Sequence, residues 1–233
     1  MALAHELGFA GEYLALRRSP LWRGAGAPVG EGRAAVLVTG FANPESAMEP
    51  MARWLRRSGW EVAVAPTGYN VDCGERVARH IDGAVSVARA RTGRPVTLIG
   101  HSRGGLISRA VAVRRAEDVE ALVTLATPWV IGMPDSARAR RAAEVVTWAN
   151  RKGATFLRSF DCRDGACCAA LREDVTRTPP AAWTAVWSSR DALTGSLSLP
   201  PAAADAEIDI RTTHQGAMLS IPAWQAVATA LAQ

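Results

Sequence analysis

The sequence has a single lysine, no long apolar run and no secretory signal. Lys152 is that lysine, so arginine carries nearly all of the basic charge behind a net charge of +5 over 233 residues. This bias is typical of codon usage, and the arginines are spread along the chain among acidic residues, so we expect no nucleic-acid partner. No apolar run reaches the roughly 18 residues that a membrane span needs, and the sequence therefore predicts no transmembrane helix.

The first residues lack the basic stretch and apolar core of a secretory signal. Glu6 and Glu12 interrupt the place where such a core would lie. We therefore expect a cytoplasmic protein, with a mature secreted form as the alternative. Residues 1–33 are predicted to be a helical segment followed by a Gly/Pro-rich linker, "RGAGAPVGEG", and residues 34–233 to form the main domain with an insertion.

Cysteine is scarce, and its spacing does not fit a common metal template. The four cysteines are Cys73, Cys162, Cys167 and Cys168, and "DCRDGACC" lacks the paired C-x₂-C pattern of zinc sites. A disulfide within the "DCRDGACC" loop, or from this loop to Cys73, stays open among three connectivities. The lack of a secretory signal favours free thiols.

From residue 34 onward, strand and helix patterns alternate regularly. Short apolar runs such as "AAVLVTG" and "VTLIGHS" are separated by segments with helical spacing, such as "PESAMEPMARWLRRSG". This alternation predicts an α/β fold: a doubly wound, mostly parallel sheet of about six strands flanked by helices. In such sheets, ligands bind where the carboxyl ends of the strands share one edge.

The alternation is interrupted at about 129–181, and we predict that this insertion is a small lid or cap. Its first residues would form an apolar acyl pocket or an interfacial surface, with ordinary helix packing as the alternative. Arg138 and Arg141 share one face of a predicted helix; a transient contact with a membrane surface would suit that face, although a solvated face is more common. The candidate pocket residues are Trp129, Val130, Ile131 and Met133.

One serine stands between a strand and a helix with glycines on both sides. Gly100, His101, Ser102, Arg103 and Gly104 match G-x-S-x-G, in which a sharp turn exposes the serine hydroxyl above the sheet. Glycine is needed two residues away on either side because larger side chains would clash with the turn. The bare motif is weak, and a small-residue turn with a serine N-cap is the alternative. The strand–turn–helix context favours a nucleophile.

Chain order then indicates an acid and a base for this serine. On this type of fold the acid and then a histidine follow the serine, and His214 is the histidine that lies after the last strand pattern. Asp191 follows the preceding strand pattern and is the candidate acid. Asp205 is its rival in the next loop. Asp209 alternates with isoleucines, which predicts that it faces away from the core.

Acyl transfer also needs donors for a developing oxyanion. One is expected to be the backbone N–H of Arg103, the residue after the serine. The other is expected from the loop after the first core strand, where "VTGFANPE" places Phe41 directly after Gly40. A plain glycine turn before a helix is the alternative for this loop.

Four motifs, "VLVTGF", "GHSRGG", "WSSRDAL" and "THQGAM", resemble those of α/β-hydrolases, close to small bacterial lipases and esterases. The resemblance covers about residues 34–233. It implies a serine hydrolase that cleaves a small-molecule ester or lipid through an acyl-enzyme, and this mechanism requires neither a metal nor a cofactor. In that reading Ser102 is the nucleophile, His214 the base and Asp191 the acid.

Two departures from the family pattern bear on substrate rather than chemistry. Thr39 stands where many lipases have a histidine, and Arg103 where an apolar or small residue is usual, yet both leave the backbone donors in place. A thioesterase or an acyltransferase would use the same triad, and carbon–carbon hydrolases and haloperoxidases remain open on this fold. A non-catalytic binding protein would usually lose one of the three reactive residues. The oligomeric state stays open.

Overall fold

The computed structural model describes residues 6, 8–129, 165–198, 200 and 202–232. Six strands form one sheet in the order β2-β1-β3-β4-β5-β6, and each neighbouring pair is parallel. The predicted doubly wound parallel sheet is therefore confirmed. The strands are β1 (Ala34–Val38), β2 (Glu61–Val64), β3 (Val96–His101), β4 (Val119–Leu125), β5 (Ala182–Trp187) and β6 (Ala206–Asp209).

Helices cover both faces of this sheet. Two buried apolar clusters lie between the helices and the sheet, the first under α3, α4 and α5 and the second under α1, α2 and α6. The described helices are α1 (Phe9–Arg18), α2 (Glu49–Arg56), α3 (Gly74–Thr92), α4 (Arg103–Arg114), α5 (Ala169–Asp174) and α6 (Ile221–Leu231).

The central strands β1 and β3 are buried along their whole length because helices cover both of their sides. Every residue of β1 and of β3 is buried. A strand that faces solvent on one side would alternate apolar and polar residues instead. β2 lies at the edge of the sheet and begins with the exposed Glu61, so its residues are less buried.

The helix predicted after β1 is interrupted in the structure. A 3₁₀ turn, Glu45–Met48, precedes α2, and Pro50 lies in the first turn of α2. Proline lacks an N–H to donate to the preceding turn, so an α-helix begins there instead of continuing through it. Met51, Trp54 and Leu55 then pack against the sheet.

The N-terminal helix α1 packs on the same face as α6. Leu16 of α1 is fully buried in the cluster that contains Trp224 of α6. Trp22, in the 3₁₀ turn after α1, stacks on Trp224 with ring centroids 5.8 Å apart. The N-terminal segment is thus packed against the residues that follow β6.

Part of the predicted insertion falls within the described residues. It contains a 3₁₀ turn, Ala166–Cys168, followed directly by α5, neither of which was predicted from the sequence. The helix predicted from its "DSARARRAAEVVTWANRKG" pattern, with Arg138 and Arg141, lies outside the described residues. Within the described ranges, no helix is long and apolar enough to cross a bilayer.

Candidate active site

Ser102 occupies a strained turn between β3 and α4. Its backbone has φ 51° and ψ −126°, a conformation that residues with a side chain rarely adopt. A Cβ atom on Gly100 would come within 2.5 Å of Gly105 Cα, and one on Gly104 within 2.4 Å of the Thr39 carbonyl oxygen. The turn therefore requires glycine at both positions.

Ser102, His214 and Asp191 form one chain of hydrogen bonds. The Oγ of Ser102 lies 3.0 Å from Nε2 of His214, and Nδ1 of His214 lies 2.7 Å from Oδ2 of Asp191. An ionised carboxylate can only accept, so Nδ1 carries the imidazole proton and Nε2 presents a lone pair to the serine hydroxyl. All three residues are buried. This arrangement suits removal of the hydroxyl proton by the imidazole.

The Asp191 carboxylate is surrounded by hydrogen-bond donors. Its Oδ1 accepts the backbone N–H groups of Leu193 at 2.8 Å and Thr194 at 2.9 Å, and its Oδ2 accepts the Thr194 hydroxyl at 2.5 Å. Burial acts to raise the pKa of this carboxyl, but the hydrogen bonds and charge of His214, together with Thr194, outweigh burial, so the pKa lies below its ordinary value. Asp191 therefore keeps a negative charge behind the imidazole at neutral pH.

The two rival aspartates are bound to the backbone at strand ends. Asp205 Oδ2 accepts the N–H of Trp183 at 2.7 Å, at the start of β5. Asp209 is exposed, and its Oδ1 accepts the N–H groups of Ser189 at 3.0 Å and Arg211 at 3.1 Å. These carboxylates contact the sheet rather than the imidazole of His214.

The loop after β1 borders the nucleophile turn. A Cβ atom on Gly40 would lie 3.1 Å from the Ser102 Cβ and 2.7 Å from Nδ1 of His101. Phe41 follows Gly40, and Arg103 is the first residue of α4. The two predicted oxyanion donors therefore belong to different backbone segments beside Ser102: Phe41 to the loop after β1, and Arg103 to the start of α4.

The Arg103 side chain connects the turn at Ser102 to Asn70 and Asp72 in the loop after β2, and through Asn70 to the end of β1. Its guanidinium donates to the carbonyl oxygens of Asn70 at 2.7 Å and Asp72 at 2.8 Å, and also to the Asn70 side-chain oxygen. Asn70 is fully buried, and its Nδ2 donates to the Thr39 carbonyl at 2.7 Å. The arginine after Ser102 thus supports the strand end that leads to Phe41.

Two carboxylates of the N-terminal segment hold the loop that carries the histidine. Glu6 accepts the backbone N–H of His214, at 3.0 and 3.2 Å to its two oxygens, and that of Ala192 at 3.2 Å. Glu12 of α1 accepts the N–H of Thr213 at 3.0 Å and its hydroxyl at 2.6 Å. These roles could not be predicted from the sequence, because nothing in the local pattern links residues so far apart in the chain.

His101 also contacts His214. Its ring lies 4.9 Å from the ring of His214, centroid to centroid, and its Nε2 lies 3.0 Å from the His214 carbonyl oxygen, to which it donates. Burial, and next the positive charge that His214 can carry, lower the pKa of His101 to about 3. His101 is therefore a neutral hydrogen-bond donor to the backbone of the neighbouring histidine.

Of the four candidate pocket residues, Trp129 falls within the described part of the chain. Its indole packs edge-on against Trp183, with centroids 5.1 Å apart, and Arg109 lies over its ring at 5.8 Å. These contacts place Trp129 against the buried cluster beneath α3 and α4. The other three candidates, Val130, Ile131 and Met133, lie outside the described residues.

The chain belongs to the family of the alpha/beta hydrolase fold, whose model matches residues 73–210. The matched segment contains β3 with Ser102 and extends to the end of β6, just before His214. The hydrolase resemblance inferred from the four motifs is thereby confirmed at the level of the family. A comparison with curated protein sequences found no match.

Solved structures with similar folds include several hydrolases of low sequence identity. Lipolytic enzymes derived from a metagenome, LipS and LipT, give a TM-score of 0.59 at 14% identity, covering 82% of this chain and 89% of theirs. An extracellular alpha/beta-hydrolase from a Paenibacillus species gives 0.57 at 14% identity, covering 84% and 97%. The thioesterase domain from the curacin biosynthetic pathway gives 0.56 at 12% identity, covering 86% and 91%. At these identities the likeness is one of fold.

Proposed function

We propose that this protein is a serine hydrolase that cleaves carboxylic esters, with a small-molecule ester or a lipid as its substrate. One observation carries the proposal: the buried hydrogen-bonded chain from Ser102 through His214 to Asp191. Serine is a weak nucleophile unless a base accepts its proton, and the base works best when a third group orients it. The three residues stand in these relationships at the carboxyl edge of the sheet.

In the first half of the reaction, Nε2 of His214 takes the hydroxyl proton as Oγ of Ser102 attacks the ester carbonyl carbon. The charge on the imidazolium is stabilised by Asp191. The carbonyl oxygen becomes an oxyanion, which the backbone N–H groups of Phe41 and Arg103 would stabilise. When this intermediate collapses, the alcohol leaves with the proton from His214 and the acyl group stays on Ser102.

In the second half, a water molecule replaces the alcohol. His214 takes one proton from this water as the water oxygen attacks the acyl carbon of the acyl-enzyme. Collapse of the second intermediate returns the proton to Ser102 and releases the carboxylic acid. The net reaction consumes one ester and one water and yields one acid and one alcohol, with no change in oxidation state.

The test is hydrolysis of a p-nitrophenyl ester series from acetate to palmitate. We expect wild-type activity on part of this series and its loss in Ser102→Ala, together with loss of covalent labelling by a fluorophosphonate. Ser108→Ala is the matched control, because Ser108 is a buried serine of α4 whose hydroxyl has no hydrogen-bond partner. This control should keep its activity.

The chain-length profile separates an esterase from a lipase. A parallel series of acyl thioesters tests the thioesterase alternative, which would use the same three residues. Labelling of Ser102 without ester hydrolysis would favour thioesters or acyl transfer. If the wild-type chain is not labelled and hydrolyses no ester, that result would contradict the proposal and favour a binding protein of this fold.

A further inference from the structure

Three cysteines that are distant in sequence meet on the side of the sheet covered by α3 and α5. Cys73 precedes α3, while Cys167 and Cys168 end the 3₁₀ turn before α5. The Sγ of Cys73 lies 3.9 Å from that of Cys167 and 3.5 Å from that of Cys168, and the last two are 3.9 Å apart. All three are thiols in the structure. We call this group the thiol cluster.

The three distances match the spacing that one metal ion imposes on sulfur ligands. A Zn²⁺ ion is held at about 2.3 Å by thiolates in tetrahedral geometry, which sets the sulfurs about 3.8 Å apart. A disulfide would need a single pair at about 2.05 Å and would leave the third sulfur without a role. The near-equilateral triangle is therefore better explained by a shared ion than by a pair.

We propose that Cys73, Cys167 and Cys168 form a binding site for a thiophilic cation of the Zn²⁺ class. Cys73 and Cys168 are buried, whereas Cys167 is exposed. Water would complete a four-coordinate site from the exposed side. Each thiol releases one proton to solvent as its sulfur binds, so the step needs no oxidant or reductant.

The surroundings of the cluster offset the negative charge of three thiolates. Three thiolates with one Zn²⁺ carry a net charge of −1. The N-terminus of the 19-residue helix α3 begins directly after Cys73, and its partial positive charge favours thiolate there. A guanidinium nitrogen of Arg103 lies 3.8 Å from where a Cβ on Gly74 would stand. The helix N-terminus thus lies next to Cys73, and the guanidinium lies beside the adjoining Gly74.

A metal here would join the insertion to the loop that supports the nucleophile turn. Cys73 follows Asp72, whose carbonyl accepts from Arg103, and Arg103 also holds Asn70. The two cysteines of the insertion lie 94 and 95 residues further along the chain. This separation explains why spacing templates did not predict a metal. The site is independent of the proposed function, since its ligands do not take part in the triad.

The test is metal binding by the full-length chain after reduction and removal of metal by a chelator. We expect one Co²⁺ per chain with thiolate-to-cobalt charge-transfer absorption, its displacement by one Zn²⁺, and a rise in Tm on adding Zn²⁺. The same titrations in Cys162→Ser should still give one ion, which assigns the binding to the thiol cluster. Cys73→Ser and Cys168→Ser should each weaken binding at least about tenfold.

The serine variants also need a check that they fold. Circular dichroism shows whether Cys73→Ser is folded, and Cys168→Ala serves as a second variant if it is not. Absence of Co²⁺ and Zn²⁺ uptake by the reduced wild-type chain would overturn the proposal. In that case, a disulfide between Cys73 and Cys168 in peptides from the non-reduced chain would identify a disulfide pair in place of the metal site. Loss of ester hydrolysis alone would bear on the proposed function and not on this site.

Discussion

Glu12 and Thr213 are 201 residues apart in the sequence and are joined by two hydrogen bonds, one from the backbone N–H and one from the hydroxyl of the threonine. The carboxylate also fills the space beside Gly216, where a Cβ would come within 2.0 Å of Oε2. Since His214 lies between these two contacts, helix α1 sets the position of the candidate base.

Removal of this carboxylate should therefore impair catalysis more than stability. We expect Glu12→Ala to lower kcat for esters roughly ten- to hundredfold with a smaller change in KM, because the imidazole loses its alignment with Ser102. Glu12→Gln keeps one acceptor oxygen and should be affected less. Steady-state kinetics and Tm measured on the same preparations check this.

The exposed Glu120 of β4 provides the control for a change of charge. Glu120→Gln should leave both kcat and KM unchanged. An unchanged kcat in Glu12→Ala, or a fall in kcat that merely follows the loss of folded protein, would argue against positioning by Glu12.

The identity of the acid can be tested by comparing two aspartates. We expect Asp191→Asn to lower kcat roughly 10⁴-fold, because an amide in place of the carboxylate does not hold the required imidazole tautomer or stabilise the imidazolium. Asp209→Asn should change kcat only a few-fold, since Asp209 contacts backbone N–H groups of strand ends. Kinetics on one p-nitrophenyl ester suffice. A larger loss in Asp209→Asn would reverse the assignment.

Two glycines in helices should respond in opposite ways to alanine. In Gly104→Ala the new Cβ would meet the Thr39 carbonyl oxygen at 2.4 Å, so we expect a loss of about 1–3 kcal/mol of unfolding free energy and reduced activity. Gly83 in α3 has no atom within 4 Å of such a Cβ, so Gly83→Ala should be neutral or stabilise by up to about 1 kcal/mol. Urea unfolding of both variants measures this, and equal effects would refute the steric argument.

His101 predicts an acid dependence of stability. In the folded chain its pKa is about 3, compared with an ordinary 6.5, so between these values the unfolded chain binds a proton that the folded chain does not. Stability from this group is complete above pH 6.5 and falls as the pH drops toward 3, by at most about 5 kcal/mol. Unfolding free energies at a series of pH values in this window measure the effect.

His101→Gln is the matched variant, because glutamine does not titrate and still offers a donor for the His214 carbonyl. Its unfolding free energy should fall less steeply between pH 6.5 and 4 than that of the wild type. The pKa of Asp191 lies below its ordinary value of 3.8 in the folded chain, so protonation of Asp191 lowers the unfolding free energy only below that pH. This loss is expected in both proteins, and the difference between their slopes from pH 6.5 to 4 therefore reports on His101. Identical slopes would show that His101 is not held neutral by burial.

The strands and helices were largely predictable because their signals are local. β1 and β3 are buried on both faces and therefore appear as runs of mostly apolar residues without polar alternation. The strained turn at Ser102 was also visible, since its glycines adjoin the serine. His214 and Asp191 followed from the order of strand ends along the chain.

The supports of the site were not predictable because they depend on polar residues in loops and on distant contacts. Glu6 and His214 are 208 residues apart, and an isolated glutamate near a chain terminus has no pattern that indicates its partner. No sequence pattern indicates the role of Asn70 either, although this residue is fully buried and donates a hydrogen bond to the Thr39 carbonyl. The thiol cluster was missed for the same reason.

The distribution of the site along the chain also has a consequence for biosynthesis. Ser102 leaves the ribosome more than a hundred residues before His214, while Glu6 and Glu12 have emerged long before either. An incomplete nascent chain would thus carry a nucleophile without a base and would be inert toward esters. Hydrolysis by the proposed triad would begin only after the histidine loop has been synthesised, and it would reach its full rate once that loop has docked onto α1.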